Sequence, residues 1–184
     1  AAPVVLWLAL GAGLATLTSR IGDWFVMTDE LLYERLALSV VRVHSPLPEI
    51  HGHLVANLNQ LYPLVLAPVL AISGPDLRVA HVVNALVMAS AAIPAGLLAR
   101  RLTGSTAWAC AAAFLTVVVP WITLSSFLLT EVVGYPAFLW AVLAFHSTVV
   151  RPTARNDVLA LLGLVVAIGA RAQLAVRAVA LLVA

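Results

Sequence analysis

Long apolar runs, each closed by an arginine, a glycine or a proline, dominate this 184-residue chain and leave few folds open to it. Apolar residues make up 63% of it, above the roughly 45–50% of an ordinary soluble domain. Charged residues are only 10% and the mean hydropathy is +1.07. In hydrocarbon every backbone N–H and C=O has to be paired inside the protein, which leaves helices or a closed barrel. The runs are long and lack period-two alternation, so the pattern predicts an all-α, polytopic membrane protein.

Pro3 to Thr18 is the first apolar segment, slightly short of the ~20 residues a span needs. It also reads as the apolar core of a signal peptide, although no basic leader precedes it. A long connection follows, residues 19–78, with Thr28 as N-cap of a helix running to about Val43. On that helix Leu32, Tyr33, Leu36, Val40 and Val43 are expected on one face, and Glu34, Arg35, Ser39 and Arg42 on the other. Such a layout suits a helix lying in the membrane interface. Leu61 to Ser73 is 13 residues long and holds Pro63 and Pro68, so it predicts a re-entrant or juxtamembrane piece, not a crossing. Val79–Ala99, Ala107–Leu129 and Val132–Val150 are expected to span, with Pro94 and Pro120 as kinks. Val158–Ala170 begins a fifth span and Leu174–Ala184 a sixth. The chain starts without Met and ends in an apolar run, the look of a piece of a longer protein.

Arg100-Arg101 and Arg151/Arg155 close turns two spans apart, and the positive-inside rule puts both in the cytoplasm. The 19–78 loop and the turn at Glu131 then face outside, together with seven of the eight acids, Asp157 being the exception. Net charge is +2 with no basic stripe, which argues against nucleic acid as a partner. The single Cys110 excludes an internal disulfide and a cysteine metal cluster.

Against so little charge, Asp29-Glu30 at the start of the first outer helix is the leading candidate site. Acids in a first helical turn also complement the helix dipole, worth ~0.3–1 kcal/mol each. Asp29 and Tyr33, four apart, share the apolar face, where loss of hydration tunes a carboxylate for proton abstraction. Glu131 brings a second carboxylate to the same side; its structural reading is an acid in the first turn after a Thr130 cap. Asp29 and Glu131 together are candidate ligands of a divalent ion (Mg, Mn, Ca or Zn). Glu49, His51 and His53 alternate, so an extended backbone would turn all three one way as a metal site, or leave them solvated. Asn57, Asn59 and Gln60 can hydrogen-bond a sugar or their own backbone. Arg171, at the outer end of the fifth span, suits a phosphate or snorkels to headgroups; Arg78 has the same two readings.

"DELLY" after a first span, followed by "NQLYPLVLAPVLAISGPDLRVAHVVNAL" and "LLARRLTG", resembles the GT-C glycosyltransferases. The nearest branches are the protein O-mannosyltransferases and the lipid A aminoarabinose transferases. Asp29, Glu30 and Tyr33 match the acidic pair of the first outer loop, Tyr62-Pro63-Leu64 the Pro-Leu element and Arg100-Arg101 the basic cytoplasmic turn. Thr130-Glu131 matches the acid of the second outer loop. The likeness covers roughly residues 5–175. It departs at Gln60-Leu61-Tyr62, where some branches carry a basic residue before the Pro-Leu element.

The resemblance implies that residues 1–184 are the N-terminal part of one GT-C-like transmembrane domain in the plasma membrane, multi-pass, with its site on the extracytoplasmic side. It implies transfer of a sugar from a polyprenyl-phosphate donor to a hydroxyl of a glycan, lipid or protein. Asp29 would be the base, Glu30 and Glu131 supporting or metal-binding acids, and Arg171 the phosphate partner. Tyr33, Arg78, Asn59 and Tyr62 would be substrate contacts. A transporter or channel subunit, or a non-catalytic membrane scaffold, are the rival expectations.

Overall fold

In a computed structural model the chain is a helical bundle, described over residues 2–21, 28–55, 59–74, 76–119 and 124–175. The sequence features at Asp23, Asn57 and Pro120, and most of the Leu174–Ala184 run, lie outside these residues. The order is α1 (Ala2–Thr18), α2 (Thr28–Val43), a short hairpin β1 (Glu49–Ile50) and β2 (His53–Leu54), α3 (Leu61–Ser73), α4 (Leu77–Ala89), α5 (Ala92–Thr103), α6 (Thr106–Val118), a 3₁₀ turn at Leu124–Ser126, α7 (Glu131–Val150) and α8 (Ala154–Ala170).

Helices α4 and α5 form one 27-residue rod, Leu77–Thr103. At a rise of 1.5 Å per residue it is about 40 Å long, and the 20-residue α7 is about 30 Å. These two are long and apolar enough to cross a membrane, while α1, α3 and α6 are shorter apolar helices. The break between α4 and α5 falls at Ser90-Ala91. Pro94 is its cause: the ring has no N–H to donate and crowds the carbonyl four residues back, at Ser90. The kink expected at Pro94 is thus an interruption one turn upstream of it. The Ala107–Leu129 segment, expected as one helix, ends at Val118, with Val119 extended at φ −85°, ψ 148°. A residue preceding proline is driven out of the helical region, and Pro120 follows.

Two apolar clusters hold the bundle. One joins α2, α3, α7 and α8 through Leu36, Tyr62, Leu66, Val132, Ala141 and Ala167. The other joins α1, the α4–α5 rod and α6 through Leu14, Ala85, Ala89, Ala113 and Val117. Close approach of α7 and α8 depends on Gly163, where a Cβ would meet the Ala141 Cα at 3.1 Å. Small residues permit this kind of contact between helices that share an apolar solvent. The outer side of α8 exposes Val158, Leu159, Leu161, Leu162, Val165 and Val166.

The bundle has two chemically distinct ends. Arg101 Nη1 donates to Ser147 Oγ, and Asn156 Nδ2 donates to the Ser147 and Arg151 carbonyls, so both arginine-bearing turns share one end. Glu30, Leu128, Glu131 and Arg171 gather at the other, the length of α7 away.

Candidate functional site

Helix α2 has the expected bounds but not the expected face. Asp29, Leu31, Leu32 and Arg35 are exposed, whereas Glu30, Tyr33, Glu34, Leu36 and Ser39 are buried. Asp29 therefore does not share Tyr33's buried side, and Glu30 is the member of the acidic pair that turns inward. Glu30 is 2% exposed; its Oε1 accepts the Leu128 N–H at 3.0 Å and its Oε2 has no hydrogen-bond partner. The buried carboxylate pins the start of α2 to the turn that leads into α7. Burial pushes the Glu34 carboxyl above its usual 4.5, with the Arg35 guanidinium pulling the other way.

Tyr33 and Tyr62, expected as substrate contacts, are core residues. Their rings meet edge to face at 5.7 Å and 85°. Tyr62 is fully buried, and Asn84 Nδ2 donates to its Oη at 3.0 Å and to the Phe127 carbonyl at 2.9 Å. Burial pushes the Tyr62 hydroxyl upward, so it stays protonated. Asn59 Oδ1 accepts the Ala172 N–H at 2.8 Å, which ties the approach to α3 to the end of α8. Arg78 is exposed in the first turn of α4, behind the Asp76 cap, and does not line the cavity described next.

Glu131 and Arg171 come together as a pair: Nη1 lies 2.6 Å from Oε1, with the side chains 33% and 23% exposed for arginine and glutamate. Thr130 does not cap α7 through its side chain; its hydroxyl donates to Glu131 Oε2 at 3.3 Å. Arg171 Nε donates to Gln173 Oε1 at 2.6 Å. Around the pair is an open cavity of about 300 Å³, whose wall includes Gly134, Tyr135, Phe138 and Leu174. At Gly134 a Cβ would sit 3.3 Å from the Arg171 Cβ, so the glycine lets the arginine lie against α7. Tyr135, Phe138 and Gln173 were not singled out in the sequence. The spacing 131, 134, 135, 138 is the signal that could have found the first two, since it marks one helical face.

The histidine pattern has a different outcome. Glu49 pairs with Leu54 and Ile50 with His53 across a hairpin whose turn is His51-Gly52, at φ 53° and 79°. Opposed residues share a side of a ladder and neighbours do not, so Glu49 and His53 face opposite ways. The strand that would have aligned Glu49, His51 and His53 does not form. Among the described residues no three His, Cys, Asp or Glu side chains cluster as a metal set, and Glu131 is engaged by Arg171.

No protein-family model, curated protein or solved structure matches the chain.

Proposed function

We propose that the chain is part of a GT-C-type membrane glycosyltransferase that moves a sugar from a polyprenyl-phosphate donor to an acceptor hydroxyl. The observation that carries the reading is the cavity around Glu131 and Arg171, beside the turn that Glu30 holds. It offers a guanidinium about one-third exposed and held by Glu131 and Gln173, one carboxylate and aromatic walls at a single end of an apolar bundle. A lipid phosphate and the sugar it carries ask for that combination: a bidentate cation for the phosphate and rings for the sugar face. The exposed apolar row on α8 supports a lipid surround, because soluble monomers rarely leave so contiguous a patch uncovered. The positive-inside rule, applied to the short turns at Arg100-Arg101 and Arg151/Arg155, then assigns that end to the cytoplasm and the cavity to the far side of the plasma membrane, in a multi-pass arrangement.

In this reading the acceptor oxygen forms a bond to the anomeric carbon as the bond from that carbon to the phosphate oxygen breaks. The electron pair leaves on the phosphate, where Arg171 stabilises it, and Glu131 holds the guanidinium in place. The acceptor proton passes to Asp29, which is exposed and outside the cavity wall, its place in the scheme resting on its position next to the anchored Glu30. Glu30 itself is a positioning residue, and no metal enters the scheme.

Isotope transfer from a radiolabelled polyprenyl-phosphate sugar by the reconstituted protein tests the proposal. Asp29→Asn is expected to lower transfer by about 10²–10⁴-fold, the usual worth of a general base. Undiminished transfer in Asp29→Asn sinks the base assignment. Undiminished transfer in Asp29→Ala with Glu131→Ala points to a scaffold beside another enzyme, and uptake of a solute without any transfer points to a transporter.

A further inference from the structure

The opposite, basic end of the bundle holds a second cavity, of about 480 Å³, lined by Arg101, His146, Ser147, Val150, Arg151 and Asn156. Three elements build it: the last turn of α5, the last turn of α7 and the first turn of α8. No carboxylate lines it. The one salt bridge among the described residues is Glu131–Arg171, so neither Arg101 nor Arg151 is neutralised by an acid there.

The side chains are arranged, not merely basic. Arg101 Nη1 donates to Ser147 Oγ at 2.5 Å, which fixes the guanidinium at the rim. That bond uses one of its five N–H donors and leaves the rest for an incoming group. Asn156 Nδ2 donates to the Arg151 carbonyl at 2.8 Å and the Ser147 carbonyl at 3.3 Å, locking α8 to α7 behind the cavity. His146 Nδ1 is buried and has no hydrogen-bond partner, an unmet polar atom in a residue of the cavity wall. The C-terminal carbonyls of α5 and α7 point toward this end with roughly half a negative charge each. The arginines here outweigh them, and the balance stays cationic. Leu102, Val149 and Val150 are exposed beside the cavity, so its flank is apolar.

We infer that this cavity binds a phosphate group through Arg101 and Arg151, either the headgroup of an anionic phospholipid or a free phosphate. The two sources share one chemistry: planar forks matched to phosphate oxygens. Basic pockets between membrane helices recognise phospholipid headgroups in this way. The inference does not depend on sugar transfer, since it concerns the other end of the molecule and a different ligand.

Native mass spectrometry of the whole protein, released from micelles containing phosphatidylglycerol or phosphatidylcholine, provides the test. The wild type is expected to retain phosphatidylglycerol in excess of phosphatidylcholine. Arg101→Ala with Arg151→Ala is expected to lower the phosphatidylglycerol adduct by about tenfold or more, at ~1 kcal/mol per arginine. Arg100→Ala, which removes one charge outside the cavity and is exposed like Arg101, should stay within about twofold of the wild type, against a several-fold loss for Arg101→Ala alone. If the double alanine variant does not fold, Arg101→Lys with Arg151→Lys keeps both charges and removes both forks, and a several-fold loss is expected. Displacement of the adduct by millimolar inorganic phosphate identifies free phosphate as the ligand; retention identifies the headgroup. Equal loss in Arg100→Ala, or no loss in either double variant, overturns the inference.

Discussion

Replacing Glu30 by alanine should destabilise the bundle far more than replacing its neighbour Asp29. Glu30 is 2% exposed and accepts the Leu128 N–H at 3.0 Å, while Asp29 is exposed. Alanine at position 30 removes a buried hydrogen bond and leaves a buried N–H unmet, together worth about 1.5–3 kcal/mol. Relief of the partnerless Oε2 offsets part of that, so the net expectation is about 2 kcal/mol. For a chain of this size that is a fall of about 4–8 °C in Tm. Asp29→Ala should stay within about 0.5 kcal/mol of the wild type. Glu30→Gln keeps an acceptor for Leu128 and should fall between them. The five tryptophans allow the unfolding to be followed by fluorescence in mild detergent. Equal shifts for the two alanine variants, or a larger one for Asp29→Ala, would refute the assignment of Glu30 as the inward member of the pair.

The Glu131–Arg171 pair is partly exposed, so a double-mutant cycle should return a coupling of about 0.5–1 kcal/mol that shrinks at high salt; a coupling of zero at low salt contradicts the pairing. Gly163→Leu should force α7 from α8 and cost about 2 kcal/mol or more, whereas Gly13→Ala, with nothing within 4 Å of the added Cβ, should stabilise by up to about 1 kcal/mol. Thermal melts of the two variants check the contrast. Burial raises the Glu34 carboxyl, so the folded state holds that proton more tightly than the unfolded chain. Its contribution is therefore present below pH 4.5 and is lost as pH rises through the folded value. Glu34→Gln should remove that slope and raise Tm at neutral pH, and melts across an acid-to-neutral series would show it.

The bounds of α2 and α3 were legible because Thr28, the Pro63–Pro68 pair and Gly74 punctuate them locally. The same local logic found α7 and α8. Which side of α2 faces inward was not legible. On the proposed membrane reading, Leu31 and Leu32 are as much at home outside as Leu36 is inside, so periodicity loses its sign. The buried side is marked instead by polar residues with internal work, such as Glu30, and Ser39, whose Oγ accepts the Glu49 N–H at 2.7 Å. The break at Ser90-Ala91 was misplaced because proline acts on the carbonyl one turn before it. The Glu49–Leu54 hairpin was missed because its turn rests on His51 adopting a positive φ, which is uncommon for any residue but glycine even though histidine does it more readily than most. At the site, Glu131 and Arg171 were each visible as scarce charges, but their pairing was not. It depends on Gly134 admitting the arginine, a contact across 37 positions of sequence that no spacing rule anticipates.

The central claim, a lipid-phosphate site around Glu131 and Arg171, is tested most directly by photo-crosslinking. A diazirine-bearing polyprenyl phosphate, irradiated with the reconstituted protein and mapped by peptide mass spectrometry, should label the 131–138 and 171–174 segments, with labelling lost in Arg171→Ala. Label confined to the arginine-rich end around 146–156, or unchanged in Arg171→Ala, would contradict the account.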